Sequence, residues 1–372
     1  MLLGQVAELA QREVRAAIGL PAGVYTSPAF YSAEQAALFD NGWLCVGRAD
    51  DLPSAGDYLV SDIGVASIAT VRGQDGALRS MGNTCLHRMT RLLSGKGNCR
   101  GRIVCPYHAW TYFDDGRLEL APHMDKVVGF DTSKLRLREV RTELWNGFIF
   151  VTMNPTALSI AEQLHPIEPV VGQFHAGGYG KVLDLDMVTE ANWKLIHENF
   201  METYHLPFVH RTSLGKQESL GVATGFEASD AYSIHRTVKH LDSPRGIAHP
   251  SNQVLTGEWR RTTVVLCVFP SLLLILCPDH LWYFLTHPID VGRTRVTFGL
   301  SYAPEVLTDI GREKLASQWQ PYYVNLNGED KAIVESVQRA AHSPLAAPGH
   351  LSPYERFTLD LARYLVSELG RG

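Results

Sequence analysis

Two short runs of this chain could bind metal through mixed ligands. Cys85-Leu86-His87 and Cys105-Pro106-Tyr107-His108 each offer one thiolate and one imidazole from a tight turn, and all four ligands fall within 24 residues. Two Cys and two His can close around zinc as a tetrahedron. They can also hold a two-iron cluster, with both cysteines on one iron and both neutral histidines on the other, which raises the potential above that of an all-thiolate cluster. Finger-type zinc sites usually pair Cys with Cys and His with His. Here each turn carries one of each, so each can give one ligand to each iron.

A second constellation lies in NWKLIHENFMETYHLPFVH, which holds Glu202, His205 and His210. Glu202 and His205 are three apart and would share one face of a helix. His205 and His210 are five apart, about 140° on a straight helix, too far round to share a metal. Pro207 cannot continue a regular helix and biases Leu206 away from helical geometry. The spacing therefore predicts a helix ending near His205, with His210 returning from the next turn. Two imidazoles and a carboxylate on one face, with other positions open, suit a mononuclear iron that activates O2.

The run NTCLHRMTRLLSGKGNCRGRIVCPYHAWTYFDDGRL resembles the Rieske domain of ring-hydroxylating and related oxygenases, marked by Cys-x-His-Arg, a loop, then Cys-x-x-His. Arg88 and CPYHAW match. Leu86 stands where Pro is common and Met89 where Gly is common, two departures that bear on loop shape alone. Cys99, between the pairs, reads as a small structural residue. The resemblance implies a [2Fe–2S] cluster on Cys85, His87, Cys105 and His108. It gives His205 and His210 as ligands of the mononuclear iron. It gives Glu202 as the carboxylate that bridges electron transfer from a Rieske histidine, His87 or His108, of a neighbouring subunit. GEDKAIVESVQRA resembles the segment that supplies the third iron ligand; Asp330 is the match and Glu329 its adjacent rival. Glu335 and Gln338 read as solvent-facing or packing residues.

The resemblance implies a terminal oxygenase that hydroxylates or N-dealkylates a small substrate with O2. Electrons would come from a flavin/iron–sulfur reductase using NADH or NADPH, because no Gly-rich dinucleotide fingerprint follows a strand here. A head-to-tail homotrimer is implied. Glu202 follows Asn199-Phe200-Met201, where aromatic-hydrocarbon dioxygenases usually carry Asp after Asn-Phe-x-Gly. That, with VESVQRA and LSPYERFTLDLARYLVSEL, is similar to the branch acting on quaternary ammonium compounds such as carnitine, choline and betaines. A trimethylammonium group binds well against aromatic faces, and Trp259, Phe269, Trp282, Tyr283 and Phe284 lie where the catalytic sheet is expected, although aromatic stripes on strands also build plain core. Arg236, Lys239 and His240 could meet a substrate carboxylate or lie at the surface. The alternatives are a ring-hydroxylating oxygenase of an aromatic acid, a non-catalytic Rieske electron-transfer protein and a zinc-binding module.

The elements that must hold these residues can be read from texture. The chain has 372 residues, too many for one ordinary core. Residues 1–40 read as a helical segment packing on the catalytic domain, with Ser32 and Gln35 resembling a capping box. Residues 41–155 alternate short apolar runs with Gly, Asp and Asn turns, an all-β Rieske domain. Residues 156–372 mix four strand-like runs (TTVVLCVF, SLLLILC, LWYFLTH, RTRVTFGLSYA) with helical spacing over 305–340 and 354–369. The expected class is α+β, with an antiparallel catalytic sheet flanked by helices. A net charge of −5 argues against a nucleic-acid binder. No run is long enough to span a bilayer, and the first residues lack a secretory pattern, so a cytoplasmic protein is expected. The six cysteines are then more available to metal than to disulfides.

Overall fold

Antiparallel pairing organises each of the two compact units into which the chain divides, Asp40–Ile160 and Met1–Phe39 with Ala161–Gly372. The computed structural model describes residues 2–211, 213, 223–240, 243 and 245–371. Among these, no helix is long and apolar enough to cross a membrane.

The Asp40–Ile160 unit holds a seven-stranded sheet and a separate three-stranded sheet made by Arg102–Val104, Thr111–Phe113 and Leu118–Leu120. Its core gathers Val71, Met81, Ile103, Trp110, Tyr112 and Leu118, and both Cys85 and Cys105 are buried within it. One cysteine turn follows the strand Leu78–Gly82; the other joins the first two strands of the small sheet.

The larger unit is built on a second seven-stranded sheet. From one edge its strands run Gly180–Thr189, Arg293–Tyr302, His280–Asp290, Leu272–Leu276, Thr262–Val268, Tyr232–Val238 and Thr224–Ala228. Leu272, Leu273, Leu274 and Leu276 are all fully buried, so both faces of the sheet's middle are covered. That explains a continuous apolar run where a half-exposed strand would alternate. The helix Trp193–Met201 packs on the three central strands, and the 30-residue helix Arg312–Ala341 packs on Trp193–Met201 and on the edge strand Gly180–Thr189.

Helix starts and stops differ from the sequence expectation at two points. Ser27, not Ser32, caps the helix Pro28–Glu34, accepting from the Phe30 amide at 3.2 Å, and Pro28 occupies the first helical position. A proline there has no amide to waste. The helix expected to run to His205 stops at Met201, and Glu202 is extended with φ −105° and ψ 159°. Pro207 sits in the first turn of a new short helix, Leu206–Val209, so it starts a helix rather than ending one.

The helices nearest these residues are fastened by polar contacts. Asn192 caps Trp193–Met201 through Oδ1, which accepts from the Lys194 amide at 3.1 Å, and donates from Nδ2 to the Val291 carbonyl at 2.7 Å. Its own amide donates to Gln338 Oε1 at 2.9 Å. Gln338, on the long helix, also donates to the Tyr25 carbonyl at 3.2 Å. Below the cap, Lys194 Nζ contacts both oxygens of Glu34 at 2.6 and 2.8 Å, and both side chains are fully buried. Removing one partner strands the other charge away from water. Lys194→Met should therefore destabilise the protein by about 3–5 kcal/mol in chemical denaturation, and Lys194→Met with Glu34→Leu should recover most of that loss.

Candidate metal centres

The two cysteine turns are copies of one another in backbone terms. The Cys85 amide donates to the Thr90 carbonyl and the Met89 amide to the Cys85 carbonyl, at 2.8 and 3.0 Å. The Cys105 amide donates to the Trp110 carbonyl and the Ala109 amide to the Cys105 carbonyl, at 2.8 and 3.1 Å. Met89 and Ala109, equivalent in the two turns, both have left-handed backbone, with φ of 60° and 56°. Glycine is the unstrained choice at such a position, and Met89 holds the same loop shape at a cost of roughly 1–2 kcal/mol.

The turns bury their sulfurs and expose their imidazoles. Cys85 and Cys105 are 1% and 3% exposed, whereas His87 and His108 face solvent with ring centroids 4.6 Å apart. The buried Trp110 ring stacks on His87 at 5.0 Å and holds it upright. Tyr112 OH lies 3.3 Å from Cys85 Sγ and accepts from the Leu86 amide at 3.0 Å. A hydroxyl donor on a cluster sulfur raises its reduction potential. Cys99 remains in the intervening loop, its amide bound to the Gly56 carbonyl.

In the larger unit, the break after Met201 lets Glu202 fold back over the following turn. Its carboxylate accepts from the amides of Tyr204 and His205 and contacts His205 Nδ1. His205 and His210 stand at the two ends of the short helix, with rings 5.2 Å apart. Glu329, on the long helix, meets His210 Nδ1 at 2.8 Å and accepts from the Ser213 hydroxyl at 2.5 Å. Each histidine thus has Nδ1 on a carboxylate, the arrangement that fixes the Nδ1–H tautomer and turns the Nε2 lone pair outward.

Those two Nε2 atoms meet Asp330. Asp330 Oδ1 lies 3.1 Å from His210 Nε2 and 3.5 Å from His205 Nε2. It is buried and has no hydrogen-bond partner of acceptable geometry among the described residues. Ligand atoms of His205, His210 and Asp330 all lie within 4.8 Å of one another. Two basic nitrogens and a lone carboxylate oxygen converging in this way fit a divalent iron with open positions. A second trio, Cys277, Asp279 and His280, also converges, but each of its members already has a hydrogen-bond partner. His280 Nδ1 meets Asp279 at 2.7 Å, Asp279 accepts from the Gly246 amide at 3.1 Å, and Cys277 Sγ lies 3.4 Å from the Thr263 hydroxyl.

Glu202 and His205 border a cavity of about 700 Å3 shared with Glu198, Asn199 and Val334. Burial pushes the Glu198 carboxyl up to about 7, against hydrogen bonds from Tyr25 and Thr358 that lower it. On another side of the same helix, Phe200 packs against Trp282 and Phe284 at 5.1 and 5.3 Å, and Phe298 and Tyr323 complete an aromatic cluster. Only two of the five aromatics singled out from sequence join it. Tyr283 points to the opposite face of its strand, Phe269 stacks on Tyr364 at 4.2 Å, and Trp259 lies edge-on to Phe174 beneath Arg236. Sequence reasoning passes over Glu329 as a partner of His210, and Asn192 as a cap, although an Asn before the helical run is a recognised start signal.

The family described as the Rieske [2Fe-2S] domain matches residues 42–134, and that described as the ring hydroxylating alpha subunit (catalytic domain) matches residues 176–367. The carnitine monooxygenase oxygenase subunit of Escherichia coli (strain K12) is 32% identical over 334 residues, covering 87% of this chain and 84% of the relative. The glycine betaine monooxygenase oxygenase subunit of Pseudomonas aeruginosa (strain PAO1) is 28% identical over 371 residues, covering 91% and 85%. In fold, the chain is similar to the solved structure of a quaternary ammonium Rieske monooxygenase, with a TM-score of 0.82 at 24% identity over 99% and 98% of the two chains.

Partners that orient metal-binding histidines commonly change affinity or activity 10–100-fold when removed. Glu329→Ala should weaken retention of the mononuclear iron by about that factor in competition with a chelator, and leave the visible absorbance of the cluster unchanged.

Proposed function

This chain belongs to the ring-hydroxylating alpha-subunit family of Rieske oxygenases, and on that premise we propose which residues carry its two metal centres and what it oxidises. As a member it is an oxidoreductase with a Rieske cluster and a mononuclear iron, acting on a small molecule with O2 and electrons from a reductase. In this proposal Cys85, Cys105, His87 and His108 hold the cluster, and His205, His210 and Asp330 hold the mononuclear iron. The observation that supports the second assignment best is Asp330 Oδ1, buried without a hydrogen bond beside two outward Nε2 atoms. When bound, the cluster supplies single electrons and the iron supplies open positions for O2.

Glu202 serves as the electron bridge. One of its oxygens rests on His205 Nδ1, and its side chain borders an open cavity. His87 and His108 are exposed on the surface of their own unit, ready to meet another chain. A head-to-tail homotrimer would bring a neighbour's histidine to Glu202, with electrons entering from a flavin/iron–sulfur reductase.

The substrate in this reading is a quaternary ammonium compound, hydroxylated or N-dealkylated at a carbon on the nitrogen. The named relatives act on carnitine and glycine betaine. In this chain Phe200, Trp282, Phe284, Phe298 and Tyr323 stand beside the ligand-bearing helices, their neighbouring rings 5.0–6.1 Å apart. Such faces attract a trimethylammonium cation.

With a reductase and NADH, quaternary ammonium substrates should drive substrate-dependent O2 consumption with matched product, while aromatic acids should not; the reverse preference would replace this substrate class. Glu202→Gln should keep the cluster spectrum and the iron content while turnover falls about 10–100-fold.

A further inference from the structure

Asn327 is buried, 5% exposed, and neither its Oδ1 nor its Nδ2 has a hydrogen-bond partner among the described residues. A buried amide left in this state destabilises a protein, so it calls for a partner. The residue lies on the long helix between the two parts of the site. By helix geometry it is turned about 40° from Tyr323 and about 60° from Asp330. Tyr323 packs its ring on Phe298 and Trp282 at 5.0 and 5.9 Å, whereas Asp330 faces the two histidines. Along the helix axis Asn327 therefore lies one turn after Tyr323, which joins the aromatic cluster, and one turn before Asp330, which faces the two histidines.

We propose that Asn327 is the specificity-determining anchor for the polar end of the substrate, its Nδ2 donating to an oxygen of a carboxylate or hydroxyl group. This rests on the quaternary-ammonium reading above and adds a second point of recognition to it. Aromatic faces hold the cation without regard to what else the molecule carries, since cation–π attraction has no hydrogen-bond requirement. An amide one helical turn away selects substrates with an accepting oxygen at a set distance from the nitrogen. A site built to make a hydrogen bond discriminates against analogues that lack the partner much more strongly than an apolar wall does. The same amide explains its own cost: without a partner among the described residues, it is satisfied when substrate arrives.

The test compares wild-type holoenzyme with Asn327→Leu and Asn327→Asp, measuring kcat and KM for a carboxylate-bearing betaine, for choline and for tetramethylammonium, together with iron content and Tm. Asn327→Leu should raise KM for the betaine and choline by about tenfold and leave tetramethylammonium unchanged, at unchanged iron content. It should also raise Tm, by about 2 °C, because the buried amide is gone. Asn327→Asp separates the two oxygen sources, raising KM for the carboxylate substrate and sparing choline. Equal KM values for Leu and wild type, or a Leu variant of lower Tm with uniform loss on all three substrates, would overturn the anchor role. Absence of wild-type turnover on all three would instead overturn the quaternary-ammonium reading.

Discussion

The pairing of His205 and His210 each with a carboxylate is the interaction on which the larger unit's candidate site depends. Glu202 and Glu329 take the Nδ1 sides of His205 and His210, so both Nε2 atoms are left to face Asp330. Without those contacts each ring could flip or change tautomer, and the convergence would be lost. The two carboxylates come from different places. Glu202 is local and needs the chain to leave the helix at Met201; Glu329 comes from 119 residues away and needs the long helix to be held in register.

Much of the surrounding structure can be understood as meeting those two needs. Asn192 starts the first helix at a defined residue, and Gln338 ties that start to the long helix two turns beyond Asp330. Glu34 and Lys194 fasten the same helix to the N-terminal segment by a buried ion pair, whose sensitivity to loss of one partner makes it a device for fixing position more than for adding stability. The cost of an ordered site is visible elsewhere. Met89 holds a left-handed turn, and Asn327 has a buried amide without a partner among the described residues. Strain and unmet polarity of this kind gather at functional sites.

How much of this is legible in sequence depends on which features are local. The mixed Cys/His turns are legible because each Cys/His pair is carried by one turn, and their chemistry comes from residue type. The need for a break between His205 and His210 is also legible, since five residues of helix point them apart. Its position is not. Pro207 breaks a helix that precedes it and begins one that comes after, and spacing alone does not choose between those roles. Likewise Glu329 and Asp330 are adjacent, and only the arrival of His210 shows that one orients the ring while the other faces its lone pair. Strand alternation could have separated Trp282 and Phe284 from Tyr283, but Phe200, Phe298 and Tyr323 join them through tertiary packing.

The central claim is that one chain carries two distinct metal centres, one held by its cysteine turns and one by His205, His210 and Asp330. Iron and acid-labile sulfide, assayed on anaerobically purified wild type and Asp330→Ala, test it most directly. Wild type should contain about three irons and two sulfides per chain, and Asp330→Ala about two irons with the sulfide unchanged. Equal iron in the two proteins would contradict the assignment of the second centre, and zinc without sulfide after reconstitution would contradict the first.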